Sequence, residues 1–297
     1  MIKIDRILCP IDFSEFSRHA FDHAVAIAKW YGATVTVLYV VPRVVAPVVT
    51  PDAPLFPPIV FSPEDIEQFR REAEAFVETD TRGAHVTTVA REGSAVGEIV
   101  DMAATLPADL VTMGTHGRSG FDRLMLGSVT ERVLRKASCP VLTVPRRIAG
   151  VPAAPMVFTR ILCAVDFSPC SMKALTYAVG LAEEADAELV VLHVLEQHVF
   201  EPTPMPGTVV ASDAALKEAR LAQLHAAIPH EARTYAHVNE VVVSGKPYRE
   251  IMRFADEQRA ELIVIGAHGG AIGALAFGST TNQIVRQAAC PVLTLRQ

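Results

Sequence analysis

The sequence predicts an α/β protein built from two doubly wound, five-stranded parallel-sheet domains related by an internal repeat. Three observations carry this prediction. Apolar runs of strand length alternate with helix-length amphipathic segments along the chain. The strands are nearly continuous in apolar residues, as in ILCPI and LIVIG, the pattern of strands buried on both faces. Finally, Gly127 to Val144 matches Gly278 to Leu295 at 10 of 18 positions, so the second half repeats the first.

With 297 residues the chain is long enough for two ordinary domains, each able to bury a sizeable core. A content of 50% hydrophobic and 20% charged residues is that of a globular protein. The net charge of −6, with no block of like charge, argues against a nucleic-acid partner. The N-terminus, MIKIDRILCPIDFS, leads straight into a strand, and no run of about eighteen apolar residues occurs. The expectation is a cytoplasmic protein that does not engage a membrane.

Each element has its own signal. Arg6 to Ile11 reads as a strand, Ser17 to Tyr31 as an amphipathic helix and Thr34 to Val41 as a second strand. A connector rich in proline, from Pro42 to Pro63, follows. Ser62-Pro63-Glu64-Asp65 then supplies a cap residue, a first-turn proline and acids at the positive end of a helix. Ile66, Phe69, Ala73, Phe76 and Val77 mark that helix's buried stripe. His85 to Ala90 is a third strand, Val96 to Leu106 a third helix and Leu110 to Met113 a fourth strand ending at Gly114. Ser128 to Ala137 reads as a helix and Val141 to Val144 as the last strand. The second half follows suit with ILCAVDFS, ELVVLHVL, NEVVVSG, REIMRFADEQRA and ELIVIGAHG. Asp12 pairs with Asp166 and Val40 with Val194, 154 residues apart; Gly114 and Gly266 are 152 apart, and Gly127 and Gly278 are 151 apart. The boundaries expected are 1–146 for the first domain, 147–158 for a linker and 159–297 for the second.

The glycines at 114, 117, 120 and 127 lie between a strand and a helix. Glycine allows tight turns and close approach to main-chain N–H groups, and the helix that follows offers unpaired N–H groups and a positive dipole end. Such a loop suits an anion, most simply a phosphate. Its spacing is Gly, two residues, Gly, nine residues, Gly, Ser, carried by Gly114, Gly117, Gly127 and Ser128. The second copy has Gly266, Gly269, Gly278 and Ser279, with eight residues between its second and third glycines. This pattern resembles the signature of the universal stress protein family, and the resemblance covers nearly the whole chain.

The resemblance implies the strand order 3-2-1-4-5, whose reversal between strands 1 and 4 marks the ligand crevice. It implies an adenine nucleotide there, ATP or AMP, with Mg2+ as an optional companion. Carried over residue by residue, Asp12 binds the ribose and the Val40 backbone meets adenine. Gly114, Gly117, Gly127, Ser128, Val129 and Thr130 hold the phosphates, with Arg118 as an additional cation in the loop. The matching set in the second half is Asp166, Val194, Gly266, Gly269, Gly278, Ser279, Thr280 and Thr281. Its loop has lost one residue and the charges of Arg118, Asp122 and Arg123, so the first domain is expected to bind ATP better. The resemblance further implies pairing of the fifth strands, Val141 to Val144 with Val292 to Leu295, as an intramolecular pseudo-dimer; a homodimer of chains is left open.

Other readings stay open beside these. Asp12 also fits a cap for the turn that follows it, and Ser128-Val129-Thr130-Glu131 fits a capping box. Cys9, Cys163, Cys139 and Cys290 read as buried thiols, while Cys170 lies in a turn-like segment. His19 and His23 have metal-binding spacing on a face that looks solvent-directed and without a third ligand. His116 and His268 sit inside the two loops, where backbone geometry outweighs imidazole chemistry. Gly245-Lys246-Pro247 lacks the rest of a P-loop and reads as a turn. No nucleophile with a base motif, zinc cluster or dinucleotide fingerprint is present. The leading reading is a stress-response protein acting as a nucleotide-dependent sensor or regulator toward a protein partner the sequence does not identify. The alternatives are a slow ATPase or phosphate-transferring enzyme, and a scaffold that binds no nucleotide.

Overall fold

The computed structural model describes residues 2–43, 61–78, 81, 83–117, 126–145, 158–196, 213–230, 232–235, 237–267 and 278–296. Most of the two proline-bearing connectors and of the stretch joining the halves lies outside these residues. So do Arg118, Gly120, His268 and Gly269. The chain divides into two compact units, Lys3–Met156 and Val157–Gln297, the latter together with Met1–Ile2.

In the N-terminal unit the elements run β1 (Arg6–Ile11), α1 (Glu15–Tyr31), β2 (Thr34–Pro42), α2 (Pro63–Glu78), β3 (His85–Gly93), α3 (Ala95–Thr105), β4 (Leu110–Gly114), α4 (Ser128–Lys136) and β5 (Val141–Val144). Parallel pairing gives the order β3-β2-β1-β4-β5. The C-terminal unit runs β6 (Arg160–Ala164), α5 (Pro169–Ala185), β7 (Glu188–Glu196), α6 (Asp213–Ala227), α7 (Ala232–Tyr235), β8 (His237–Gly245), α8 (Pro247–Glu257), β9 (Leu262–Gly266), α9 (Ser279–Gln287) and β10 (Val292–Leu295). Its order, β8-β7-β6-β9-β10, is the same one again.

Burial follows from the apolar runs. Every residue of β4 and β5 is buried, as is β1 after Arg6. The edge strand β3 alternates between exposed and half-buried positions before levelling off. Helices α1 and α2 pack on β1–β5 from one side of the connectivity, and α3 packs with α4. Right-handed crossovers require this division, because the chain moves outward from β1 to β3 and then back across to β4 and β5.

Helix ends are set by local chemistry. The Ser14 hydroxyl accepts from Ser17 N–H to cap α1, and Gly32 ends it in the left-handed region at φ 69°. At α2 the exchange is reciprocal: Asp65 N–H donates to Ser62 Oγ, and Ser62 N–H donates to Asp65 Oδ2. The α1 helix therefore begins two residues earlier than its apolar period suggests, at the capped turn.

The cysteines follow the packing. All five are free thiols; Cys9 and Cys163 are fully buried, and burial pushes both well above the ordinary thiol range. Burial raises Cys139 to about 11 and Cys290 to about 12. Cys170 lies in a helix and not in a turn. It is buried in the first turn of α5, where Pro169 starts the helix one residue ahead of it.

Candidate functional site

The crevice of the N-terminal unit is built where β1 and β4 lie side by side with their connections leaving in opposite directions. Ile7 pairs with Leu110 and Leu8 with Val111, so Asp12, the residue after β1, comes out beside the loop that leaves β4 at Gly114. The base of that loop is closed. Thr115 N–H donates to Val144 O at 3.0 Å, and Gly127 N–H donates to Thr115 O at 2.9 Å. The C-terminal unit repeats both bonds with Ala267, Leu295 and Gly278, at 2.7 and 3.0 Å.

Glycine is required here for close approach and not for a left-handed turn. None of the described loop glycines has positive φ. A Cβ at Gly114 would lie 2.7 Å from Phe16 Cβ and 3.0 Å from its carbonyl carbon, so the end of β4 touches the first turn of α1. A Cβ at Gly117 would lie 2.6 Å from Asp12 Oδ2, so the loop backbone lies against the carboxylate.

Thr130 ties the start of α4 to the end of β4, its buried hydroxyl donating to Gly114 O at 2.9 Å. Thr281 does the same to Gly266 O at 2.8 Å. Any contact of Thr130 with an anion is therefore through its N–H. The capping-box reading of Ser128 and Glu131 does not hold: the cap residue is Gly127, one position earlier, and it makes no side-chain bond. Glu131 consequently falls one position beyond the place a capping box requires, at the end of the first turn, and pairs with Arg135 at 2.6 Å. The N–H groups of Ser128, Val129 and Thr130 open the helix without an intrahelical acceptor, and among the described residues no side chain caps them.

These groups line a cavity of about 390 Å3, within the range of roughly 300–1,000 Å3 usual for small-molecule sites. Of the first-domain residues singled out in the sequence, Asp12, Val40, Gly114, Gly117, Gly127, Ser128, Val129 and Thr130 all line it. The sequence reading missed its apolar wall, formed by Leu38, Ala95, Ile99 and Met113. The repeat held a signal for part of that wall, since Leu38 recurs as Leu192 and Ile99 as Ile251. His116 also lines the cavity, with Nδ1 3.0 Å from Thr115 Oγ1 and its ring 5.1 Å from Phe16.

Asp12 serves the turn as well as the cavity. Its Oδ1 accepts from Ser14 N–H at 3.1 Å and from the Ser14 hydroxyl at 2.6 Å. Between them Phe13 is left-handed at φ 63°, a conformation costing on the order of 1–3 kcal/mol for a bulky side chain. In the C-terminal unit, Asp166 Oδ1 accepts from Ser168 N–H at 3.0 Å and Phe167 has φ 61°. Val194 lies on β7, and Ser279, Thr280 and Thr281 open α9 behind Gly278, again without a side-chain cap.

The histidine pair on α1 is not a solvent-directed face. His19 and His23 are both half-buried with His23 Nδ1 shielded from solvent, and burial, with His19 adding to it, pushes the His23 pKa down to about 4. Among the described residues no group of three or more His, Cys, Asp or Glu side chains is placed to hold a metal ion. No described helix is long and apolar enough to cross a membrane.

Comparison with known proteins adds the following. The family model described as "Universal stress protein family" matches residues 3–145 and again 158–296. A universal stress protein of Methanocaldococcus jannaschii is 38% identical over 147 residues, covering 48% of this chain and 82% of that one. One from Mycobacterium tuberculosis is 28% identical over 286 residues, covering 92% of each. Among solved structures, a universal stress protein from Archaeoglobus fulgidus has a TM-score of 0.69 at 22% identity, covering 100% of this chain and 97% of that one, a likeness of fold.

Proposed function

From the premise that this chain belongs to the universal stress protein family, we propose that its N-terminal unit binds an adenine nucleotide, ATP or AMP, and acts as a nucleotide-dependent regulator. Asp12 takes the ribose hydroxyls, and the Val40 backbone meets the base. The loop backbone at Gly114, Gly117 and Gly127 and the N–H groups of Ser128, Val129 and Thr130 take the phosphates, with Arg118 adding a cation and Mg2+ accompanying a triphosphate. The observation that carries this reading is the convergence on one cavity of a carboxylate, an uncapped helix N-terminus and a strand end, beside an apolar wall. A nucleotide needs acceptors for its hydroxyls, N–H donors for its phosphates and an apolar slot for its base.

The C-terminal unit offers Asp166, Val194, Gly266, Gly269, Gly278, Ser279, Thr280 and Thr281 in the equivalent places, with a loop that carries no charge. It is the weaker site. The test is to purify the full chain without added nucleotide, denature it and identify the released small molecules by mass spectrometry, then repeat with Asp12→Ala and Asp166→Ala. ATP or AMP lost mainly with Asp12→Ala is the expected result. No nucleotide on release and none bound on titration would overturn the reading in favour of a scaffold.

A further inference from the structure

Two adjacent residues outside the nucleotide signature have a geometry that binding alone does not explain. A left-handed residue between a carboxylate and a capping serine is ordinarily Gly, Asn or Asp, which reach φ > 0 at little cost. Here both units place phenylalanine there. The bonds that hold this conformation are those from Ser14 to Asp12 Oδ1, the second of them at 2.6 Å. The same hydroxyl oxygen accepts from Ser17 N–H at 3.2 Å, anchoring the turn to α1. The Phe13 ring completes the lock: it lies 4.6 Å from Tyr39 of β2 and 5.4 Å, edge-on, from Phe76 of α2.

The consequence is a carboxylate held in one orientation. Carboxylate rotation is soft and roughly two-fold, so an unsupported Asp12 would turn freely. The two donors hold Oδ1 in the turn, and Oδ2 lies against the Gly117 backbone in the wall of the cavity. We propose that Phe13 and Ser14 are positioning residues for Asp12, holding one carboxylate oxygen in the turn so that the other is presented to the hydroxyl groups of the bound ligand. At Asp166, Phe167 and Ser168 the N–H bond to the carboxylate and the left-handed phenylalanine recur, with the ring packed 4.8 Å from His193 instead of a tyrosine.

This inference rests on the nucleotide reading above, and its test separates the two. The full chain is titrated with ATP and with 2′,3′-dideoxy-ATP, which lacks the hydroxyls. Wild type is expected to favour ATP by about tenfold or more, the effect of a charge-assisted hydrogen bond. Ser14→Ala and Phe13→Gly are expected to bring that ratio close to one while leaving the dideoxy affinity in place, and Ser14→Thr to restore it. Phe13→Gly removes the backbone strain together with the ring, so it tests the lock without forcing the turn open. Ratios unchanged in both variants but abolished in Asp12→Asn would overturn the positioning role and leave the nucleotide reading standing. Equal losses for both nucleotides would assign Phe13 and Ser14 to the fold alone and also overturn it. A wild type that binds neither nucleotide, or does not distinguish them, would remove the inference; only the former would also remove nucleotide binding.

Discussion

Within its second strand the N-terminal unit places Tyr39, packed against Phe13 and Phe69, where the C-terminal unit places His193. The difference continues around the two crevices. Phe16 abuts Gly114 in one, and Cys170 abuts Gly266 in the other. Ser94 caps α3 through its hydroxyl, whereas Lys246 stands at the cap of α8 without a side-chain bond. Glu131 pairs with Arg135, while the equivalent positions hold Asn282 and Arg286. Yet the loop-closing bonds, the two threonine ties, the left-handed phenylalanine and the glycines at the strand ends are the same. The retained features are those where backbone meets backbone at less than a side chain's width. The altered ones are side chains whose different shapes can be accommodated by their neighbours.

The sharpest way to separate the units is acid. His23, in the N-terminal unit, has a folded pKa of about 4 against an ordinary 6.5, set first by burial and then by His19. Below pH 6.5 the unfolded chain takes up a proton that the folded chain refuses. Stability from this group is therefore complete above about 6.5 and falls by about 3 kcal/mol as the pH drops to about 4. Denaturant unfolding of His23→Gln across that range should show a flatter pH dependence than wild type. In the C-terminal unit His193 is also lowered, by burial and then Arg220, while its Nδ1–H bond to Val165 O and Asp166 oppose the shift. Its contribution falls in the same direction below 6.5, and His193→Gln should alter the acid response less than His23→Gln does.

Ligand affinity provides the next comparison. If Arg118 reaches a phosphate, Arg118→Ala should cost about 1.5–3 kcal/mol, a ten- to hundredfold loss that brings the first site toward the second. Isothermal titration of the full chain should then show the two sites converge, and an unchanged first site would remove the loop charge as the source of asymmetry.

Where the frame is common, the comparison should instead vanish. Gly114→Ala and Gly266→Ala each drive a Cβ to within 3.0 Å of backbone in the first turn of the neighbouring helix. Both should cost about 1–3 kcal/mol of unfolding free energy, as overpacking does. A loss in only one unit would show that the two strand ends are not equivalent in solution.

The smallest effect concerns the caps. Ser94→Ala should destabilise the N-terminal unit by about 1 kcal/mol, and Lys246→Ser should stabilise the C-terminal unit by about 0.5–1 kcal/mol, both read from denaturation midpoints.

Much of this was legible before any coordinates. The first strand, Arg6 to Ile11, and the start of α4 at Ser128 carry their own signals, and the glycine loop announced itself by spacing. Two local readings failed for instructive reasons. The capping box at Ser128 has the right letters one position out of phase, because the helix cap is set by where Gly127 is pinned to Thr115 O. The solvent-directed reading of His19 and His23 overlooked how deeply α1 packs against β1 and β4.

The sequence by itself determined the alternation of strands and helices, the repeat and the residue types of the site, since periodicity and turn chemistry act over a few neighbouring residues. The strand order came from the resemblance that those residues carry. The tertiary structure decided that Asp12 lines the cavity against Gly117, that Gly117 must lack a Cβ beside it, and that Leu38, Ile99 and Met113 form one wall. Those facts depend on strand register and on close contact between segments far apart in the chain, 105 residues in the case of Asp12 and Gly117. Only packing brings such segments within van der Waals distance.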